Sequence, residues 1–330
     1  MKRIYITFGT GLILLACTAS QPFPQAIANP PVPVIDGEFW QIAGNPDLGD
    51  LTGPDQQPVD FGIWQAADGT WQLWSCIRKT LCGGHTRLFH GWEGNSLTEV
   101  SWKPVGITMM ADSLLGEQPG GLQAPHVIVE DGVYSMFYGD WSRICLARGR
   151  NGKNFQRVLN PETGEPGLFT EDFGEPHHLN HARDAMVLKN GETYHCYYTS
   201  HSNLETQEGA AYCRTSNDLV HWSESVMVSR TPPYGSNSPK YSDECPHVVY
   251  LEESGYYYLF VTQIYGQQSQ TTVYASPDPL SFGIGDDSRV IARLPVAAPE
   301  ILFLEGQWYI ASTMPGLDGI HMARLKWEAR

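Results

Sequence analysis

The sequence predicts an all-β protein, a five-bladed β-propeller with four-stranded antiparallel blades. The main observation is a long internal repeat. Asp60-Phe61-Gly62-Ile63-Trp64 leads through Gly69 to Trp71-Gln72-Leu73-Trp74. Ala124-Pro125-His126-Val127-Ile128 leads through Gly132 to Tyr134–Tyr138, and Asp184–Leu188 leads through Gly191 to Tyr194–Tyr198. Glu244-Cys245-Pro246-His247 leads through Gly255 to Tyr256–Thr262, and Ala298-Pro299-Glu300-Ile301-Leu302 leads through Gly306 to Trp308–Ile310. Each copy is a short strand, a glycine turn and an aromatic strand, which is a hairpin signal. The copies return at intervals of roughly 50 to 65 residues, and a period of that length is the mark of a repeat architecture. A second observation is that most copies continue into further β-forming segments. Ile144–Arg148 and Ala211–Thr215, then Phe155 or Trp222, supply a third and fourth strand. Four strands per unit and five units close radially. A β-sandwich also has frequent turns, but not this long period with its constant Pro and Gly offsets.

The N-terminus comes first. Lys2-Arg3 is a short basic start, Ile4 to Leu15 is mostly apolar, and Leu14-Leu15-Ala16-Cys17 ends it. These are the parts of a signal peptide, too short to span a bilayer comfortably. The ending resembles the lipobox of bacterial lipoproteins, in which the Cys becomes lipidated. Residues 1–17 therefore read as a lipoprotein signal ending at Cys17, against a plain secretory signal or an N-terminal anchor. By analogy, Thr18 rather than Asp after the Cys favours an outer-membrane address, and the expected location is the outer membrane or the periplasm. Residues 18–33, with Pro22, Pro24, Pro30, Pro31 and Pro33, read as an extended tether. Residues 34–330 form the propeller, since about 295 residues suffice for one large core.

Charge narrows the partners. A net charge of −15 disfavours nucleic acid, which needs a basic stripe. Contact with a membrane is expected only through the lipid at Cys17. The chemistry suits a neutral partner, and ten Trp and sixteen Tyr serve both a propeller core and sugar stacking. An exported chain permits disulfides. Cys196 and Cys213 lie symmetrically about the turn near Leu204-Glu205, so they are expected to pair, and Cys76–Cys82 is a plausible loop clasp. No CxxC pair suggests a zinc site.

The innermost strands of a propeller line a central funnel. Aligning the repeats on Phe61, Pro125, Ala185, Pro246 and Pro299 places Asp60 and Asp184 at matching strand starts, with Glu244 one step earlier in its blade. A lone Asp there would be an ordinary turn former. Three acids gathered from distant parts of the chain suit glycosidic cleavage, which needs one protonated carboxyl and one ionised carboxylate. Crowding separates their pKa values.

Here the chain resembles the five-bladed propeller glycoside hydrolases, the superfamily of families 32, 43, 62, 68 and 117. The matching motifs are Val59-Asp60-Phe61-Gly62, Ala182-Arg183-Asp184-Ala185 and Asp243-Glu244-Cys245-Pro246-His247, and the resemblance spans Asp60 to Trp327. It implies that Asp60 is base or nucleophile, that Asp184 stabilises the transition state, and that Glu244 is the general acid. Arg183 would touch substrate or fix Asp184. The Trp-Met-Asn-Asp-Pro-Asn-Gly signature of family 32 is missing, so a family-43-like inverting mechanism is favoured. Asp55 stands as an alternative to Asp60.

Gln123, Trp64 and Trp141 are the further sugar-contact candidates, with His181 on the loop before Arg183. His247, like His126, reads either as a substrate contact or as a hydrogen-bonded core residue. No cofactor is expected. Some relatives carry a calcium or similar ion near the propeller centre, but nothing in this sequence spells a calcium loop. The expected function is a glycoside hydrolase acting on a neutral oligo- or polysaccharide, a furanoside or pentoside. The alternatives are a non-catalytic glycan-binding propeller and, lower, a glycan phosphorylase, for which Arg183, Arg143 and Arg148 are the nearby cations.

Overall fold

The computed structural model describes residues 29–171, 182–201, 208–230, 242–313 and 316–330. The first strand of the described residues is the long β1 (Val32–Gly44). The first blade is β2 (Gln57–Gln65), β3 (Trp71–Arg78), β4 (Leu88–Gly94) and β5 (Lys103–Met109). The second comprises β6 (Leu122–Glu130), β7 (Val133–Asp140), β8 (Ile144–Gly149) and two short outer strands, β9 (Gln156–Val158) and β10 (Gly167–Phe169), which both pair with β8. The third is β11 (Arg183–Asn190), β12 (Thr193–His201), β13 (Gly209–Ser216) and β14 (Val226–Arg230). The fourth is β15 (Glu244–Leu251), β16 (Tyr256–Ile264), β17 (Gln270–Ser276) and, beyond the short β18 (Gly283–Ile284), β19 (Val290–Leu294). The fifth is β20 (Glu300–Leu304), β21 (Gln307–Ser312) and β22 (Gly319–Glu328), and β1 completes it by pairing with β22.

The five-bladed expectation holds, with two local additions. Blade two carries the extra outer strand, and β18 leaves blade four to pair parallel with β14 of blade three. Buried Phe282 anchors that crossing, and its N–H donates to the Val228 carbonyl at 2.8 Å. The ring is closed by the N-terminus. Val32 and Pro33 already pair with Glu328 and Trp327, so the last two residues of the stretch assigned to the tether belong to a strand.

The core is five cores, one between each pair of neighbouring blades. Trp64, Trp74, Met136 and Tyr138 fill the gap between blades one and two. Phe137, Leu146, Tyr198 and Tyr212 fill the next. Tyr197, Leu259 and Tyr274 come third, then Phe260, Ile310 and Leu325. Ile42 of β1, Leu73 and Met322 close the ring between blades five and one. Each blade buries both faces, which is why its central strands read as near-continuous apolar and aromatic runs.

The same alternation overturns the disulfide expectation. Cys76, Cys82, Cys145, Cys196, Cys213 and Cys245 are all free. In the β12–β13 register Cys213 faces Tyr197, whereas Cys196 faces Arg214. A one-residue offset sends the two thiols to opposite faces of the blade, Cys196 into one inter-blade core and Cys213 into the next. Cys76 is buried between blades one and two, while Cys82 packs against the core between blades five and one.

Candidate active site

Four of the five inner strands are interrupted near their first residues by a register shift: at Val59/Phe61, Gln123/His126, Arg183/Met186 and Glu244/His247. The first residue inside each shift is left-handed: Asp60 (φ 34°), Ala124 (φ 41°), Asp184 (φ 57°) and Cys245 (φ 49°), matched in blade five by Ala298 (φ 45°). A bulge bends a strand and re-aims a side chain. A non-glycine residue held left-handed costs on the order of 1–3 kcal/mol, and such strain gathers at functional sites. Where blades one and two meet, Gly62 leaves space for the neighbouring backbone; a Cβ there would lie 2.3 Å from the Pro125 carbonyl oxygen.

This places the acids in two rings rather than one. Asp60, Asp184 and Cys245 occupy the left-handed ring, and their ligating atoms lie within 4.8 Å of one another. Cys245 Sγ donates to Asp60 Oδ1 at 3.3 Å, a contact between residues 185 apart in sequence. The Cys245 N–H donates to Thr199 Oγ1 at 3.1 Å and lies 3.4 Å from Asp184 Oδ2. The residue before each left-handed position forms the second ring, where Gln123, Arg183 and Glu244 stand on successive blades. Arg183 ties the rings together, with Nη2 on Glu244 Oε1 at 2.8 Å and Nε 3.6 Å from Asp184 Oδ2. Asp55, the alternative to Asp60, is exposed in a turn outside both rings.

Burial raises the pKa of all three carboxyls above their ordinary range. For Asp60 the Arg87 guanidinium opposes this and Glu244 adds to it. The charge of Asp60 raises Asp184 further, against Arg183. Arg183 holds Glu244 down while Asp184 pushes it up. Burial and crowding thus favour the protonated forms of the three carboxyls, and the two guanidiniums oppose this. Burial also raises the Cys245 thiol, which keeps it an S–H donor to Asp60. The Tyr265 hydroxyl lies 3.2 Å from Cys245 Sγ and completes this shell.

The remaining candidates divide. Gln123 is buried, and its Oε1 has no partner among the described residues. Trp141 stacks on His85 with ring centroids 3.9 Å apart, and the Arg87 guanidinium carbon lies 5.1 Å from its ring. Trp64 is not part of the cluster: four residues along β2, about 13 Å from Asp60, it is buried between blades one and two. Its Nε1 donates to the Gly152 carbonyl at 2.7 Å, and Trp74 and Phe155 meet it edge-on. His247 lies on the inner strand past the Pro ring, where Nε2 accepts from the Ile301 N–H at 3.3 Å and Nδ1 is 3.5 Å from Glu300 Oε2. His181 lies outside the described residues. Of the other cations, Arg143 is spent on Asp140 and Glu165, and Arg148 reaches Ser135 and the Asp218 carbonyl at the far end of blade two.

A central ion would meet a narrow space. Asp60, Asp184, Cys245, His126 and Glu300 line an axial cavity of about 20 Å³, room for roughly one water. A calcium takes 6–8 oxygen ligands, and the thiol and the two guanidiniums beside the carboxylates suit it poorly. The residues present do not fit a calcium here.

Sequence reasoning missed Cys245, Tyr265 and Arg87. Cys245 was within reach, because alignment on the Pro positions sets it in the same column as Asp60 and Asp184. No local signal marks Tyr265 or Arg87.

No protein-family model matches the sequence, and neither does any curated protein. Solved structures do match. A thermostable family-43 glycoside hydrolase is 16% identical with a TM-score of 0.57, covering 87% of this chain and 95% of that one. The Bombyx mori GH32 beta-fructofuranosidase BmSUC1 is 16% identical with a TM-score of 0.58, covering 87% of this chain and 62% of that one. A mutant of that enzyme was solved in complex with sucrose. An exo-1,5-alpha-L-arabinanase from a bovine ruminal metagenomic library is 18% identical with a TM-score of 0.55, covering 86% of this chain and 96% of that one. The fold is therefore that of the five-bladed propeller glycoside hydrolases of families 43 and 32.

Proposed function

We propose that this protein is a glycoside hydrolase that cleaves a neutral oligo- or polysaccharide, a furanoside or pentoside, by carboxylate acid/base catalysis. The observation that carries this reading is the meeting of Asp60, Asp184 and the Arg183–Glu244 pair at the inner strand starts, from three different blades. In this reading Glu244 donates the proton to the leaving oxygen. Asp60 activates a water on the opposite face of the sugar, and Asp184 stabilises the positive charge that develops on the ring. Arg183 orients Glu244 and Asp184. Gln123 and Trp141 contact the sugar. The fold likeness to family-43 and family-32 enzymes supports the reaction class.

The test is a panel of nitrophenyl glycosides and plant or algal oligosaccharides, with D60N, D184N and E244Q alongside the wild type. The reading expects turnover by the wild type and a loss of roughly 10²–10⁴-fold in E244Q, with sugar binding kept. Binding without turnover by the wild type would replace it with a glycan-binding propeller. Proton NMR of the first-formed anomer separates inversion from retention, and inversion is the expected result.

We further propose that the protein is exported and held by a lipid at Cys17. The β1–β22 register sets Val32 beside Glu328, at the end of blade five away from Glu300 and the acids. A tether leaving there points the pocket mouth away from the anchoring surface. C17A is expected to move the protein from the membrane to the soluble fraction; unchanged fractionation would count against the anchor.

A further inference from the structure

Arg87 has no role in the mechanism above, yet the fold holds it firmly beside the acids. It stands just before β4, where its N–H donates to the Gly120 carbonyl at 2.9 Å, and the His85 N–H donates to the Pro119 carbonyl at 2.9 Å. The two segments are pressed together: Gly84 is left-handed, and a Cβ there would fall 1.9 Å from the Pro119 carbonyl oxygen. On this frame His85 and Trp141 stack with their planes 9° apart, and Arg87 lies against the same indole. Trp141 is itself left-handed, at φ 84°, a strained backbone that persists only where its surroundings hold it. The guanidinium is mostly withdrawn from solvent and lies in the field of Asp60, Asp184 and Glu244.

The two arginines of the site differ. Arg183 is held by Glu244 and Asp184, with only Nη1 left without a partner among the described residues. Among the described residues no carboxylate lies within 4.0 Å of the Arg87 guanidinium, which lies against the Trp141 indole and beside the buried Cys76 thiol. A planar fork of five donors, pre-set by stacking, loses little freedom on binding. We propose that Arg87 is a substrate-binding residue whose guanidinium donates to two neighbouring hydroxyls of the sugar unit seated over the acids. It thereby requires a sugar unsubstituted at those positions. This rests on the hydrolase reading and names the substrate feature that the site selects. Hydroxyls suit it better than a carboxylate or sulfate. Three carboxyls crowd the two arginines, and a further anion brought to this cluster would meet their repulsion.

The experiment is a substrate–variant cycle. The best glycoside of the panel and its monodeoxy analogues are assayed with wild type, R87A and R87K, with thermal unfolding followed in parallel. One or two analogues are expected to lose about 10- to 100-fold in kcat/KM on the wild type, the value of a hydrogen bond to a charged group. On R87A the same analogues should lose almost nothing further, and R87K should recover part of the activity. Equal losses on wild type and R87A would overturn the proposal, as would an R87A defect confined to stability or a wild-type preference for uronides or sulfated sugars. If the wild type turns over nothing, the hydrolase reading falls on its own, and the same cycle on sugar binding by calorimetry decides Arg87. Absence of any sugar binding would overturn both.

Discussion

At the residue scale the site concentrates cost. Asp60 combines a left-handed backbone with a carboxyl whose pKa burial raises. A carboxyl with a raised folded-state pKa contributes stability below its unfolded pKa, near 4, and that contribution is lost as pH rises through the folded value. At neutral pH, then, the Asp60 carboxyl is a burden on the fold. D60N removes the charge, and Asn tolerates a left-handed backbone. It should stabilise the protein by about 1 kcal/mol at pH 7, as substitutions that relieve a functional site do. The gain should vanish near pH 3 while activity is lost at every pH. Thermal unfolding against pH checks this, and a D60N that is less stable at pH 7 would contradict it. The same raised values shape turnover. In the proposed mechanism Glu244 acts in its protonated form, so kcat/KM should fall as pH rises through its raised pKa, and it should fall in acid as Asp60 takes up a proton. An alkaline limb that E244Q leaves unmoved in its residual activity would remove Glu244 from that role.

At the element scale two blades use the same clasp. Tyr138 and Arg157 of blade two both bond the buried carboxylate of Glu117, at 2.6 and 2.8 Å. Tyr198 and Arg214 of blade three do the same with Glu171, the Arg214 contact being 2.8 Å. Each acid precedes its blade in the chain and is held to it by these bonds. Breaking a buried pair by removing one partner leaves an uncompensated charge. E117A and E171A should each cost about 3 kcal/mol, read as a lowered midpoint in chemical denaturation; a change below about 1 kcal/mol, the range of an exposed pair, would show that the clasp is dispensable. The blade faces also settle the cysteines. All six thiols of the propeller should titrate after unfolding without reductant, and reductant should leave the thermal midpoint unchanged.

At the scale of the whole molecule, the ring is closed by chain ends that are distant in sequence. β1 supplies the outer strand of blade five, and Ile42 and Ala43 sit in the last inter-blade core. A chain starting at Asn29 should unfold cooperatively at the full-length temperature, whereas one starting at Asn45 should lose cooperative unfolding, as followed by calorimetry.

The sequence made much of this legible, and the reasons are physical. The blade pattern is local, since strand, glycine turn and aromatic strand are all set by neighbours along the chain. Asp60 and Asp184 could be aligned, with Glu244 one step earlier, because the Pro and Gly offsets repeat. What stayed hidden depends on registers between strands. Whether Cys196 faces Cys213 turns on a single residue of offset in β12–β13. Trp64 belongs to an inter-blade core rather than the pocket because it lies four residues down its strand. Arg87 and Tyr265 lie just outside the strands β4 and β16 of the blades that carry Asp60 and Cys245, and no local pattern marks where such flanking residues turn. The N-terminal strand was hidden because its partner β22 is the last strand of the chain.

The central claim is that acids from separate blades act as one acid/base device, and leaving-group dependence tests it most directly. E244Q and D60N would each be assayed on an oligosaccharide and on the matching dinitrophenyl glycoside, whose leaving group needs no proton. The account predicts that E244Q loses roughly 10²–10⁴-fold on the oligosaccharide and little on the dinitrophenyl substrate, while D60N fails equally on both. Equal losses of E244Q on the two substrates, or no loss on either, would contradict it.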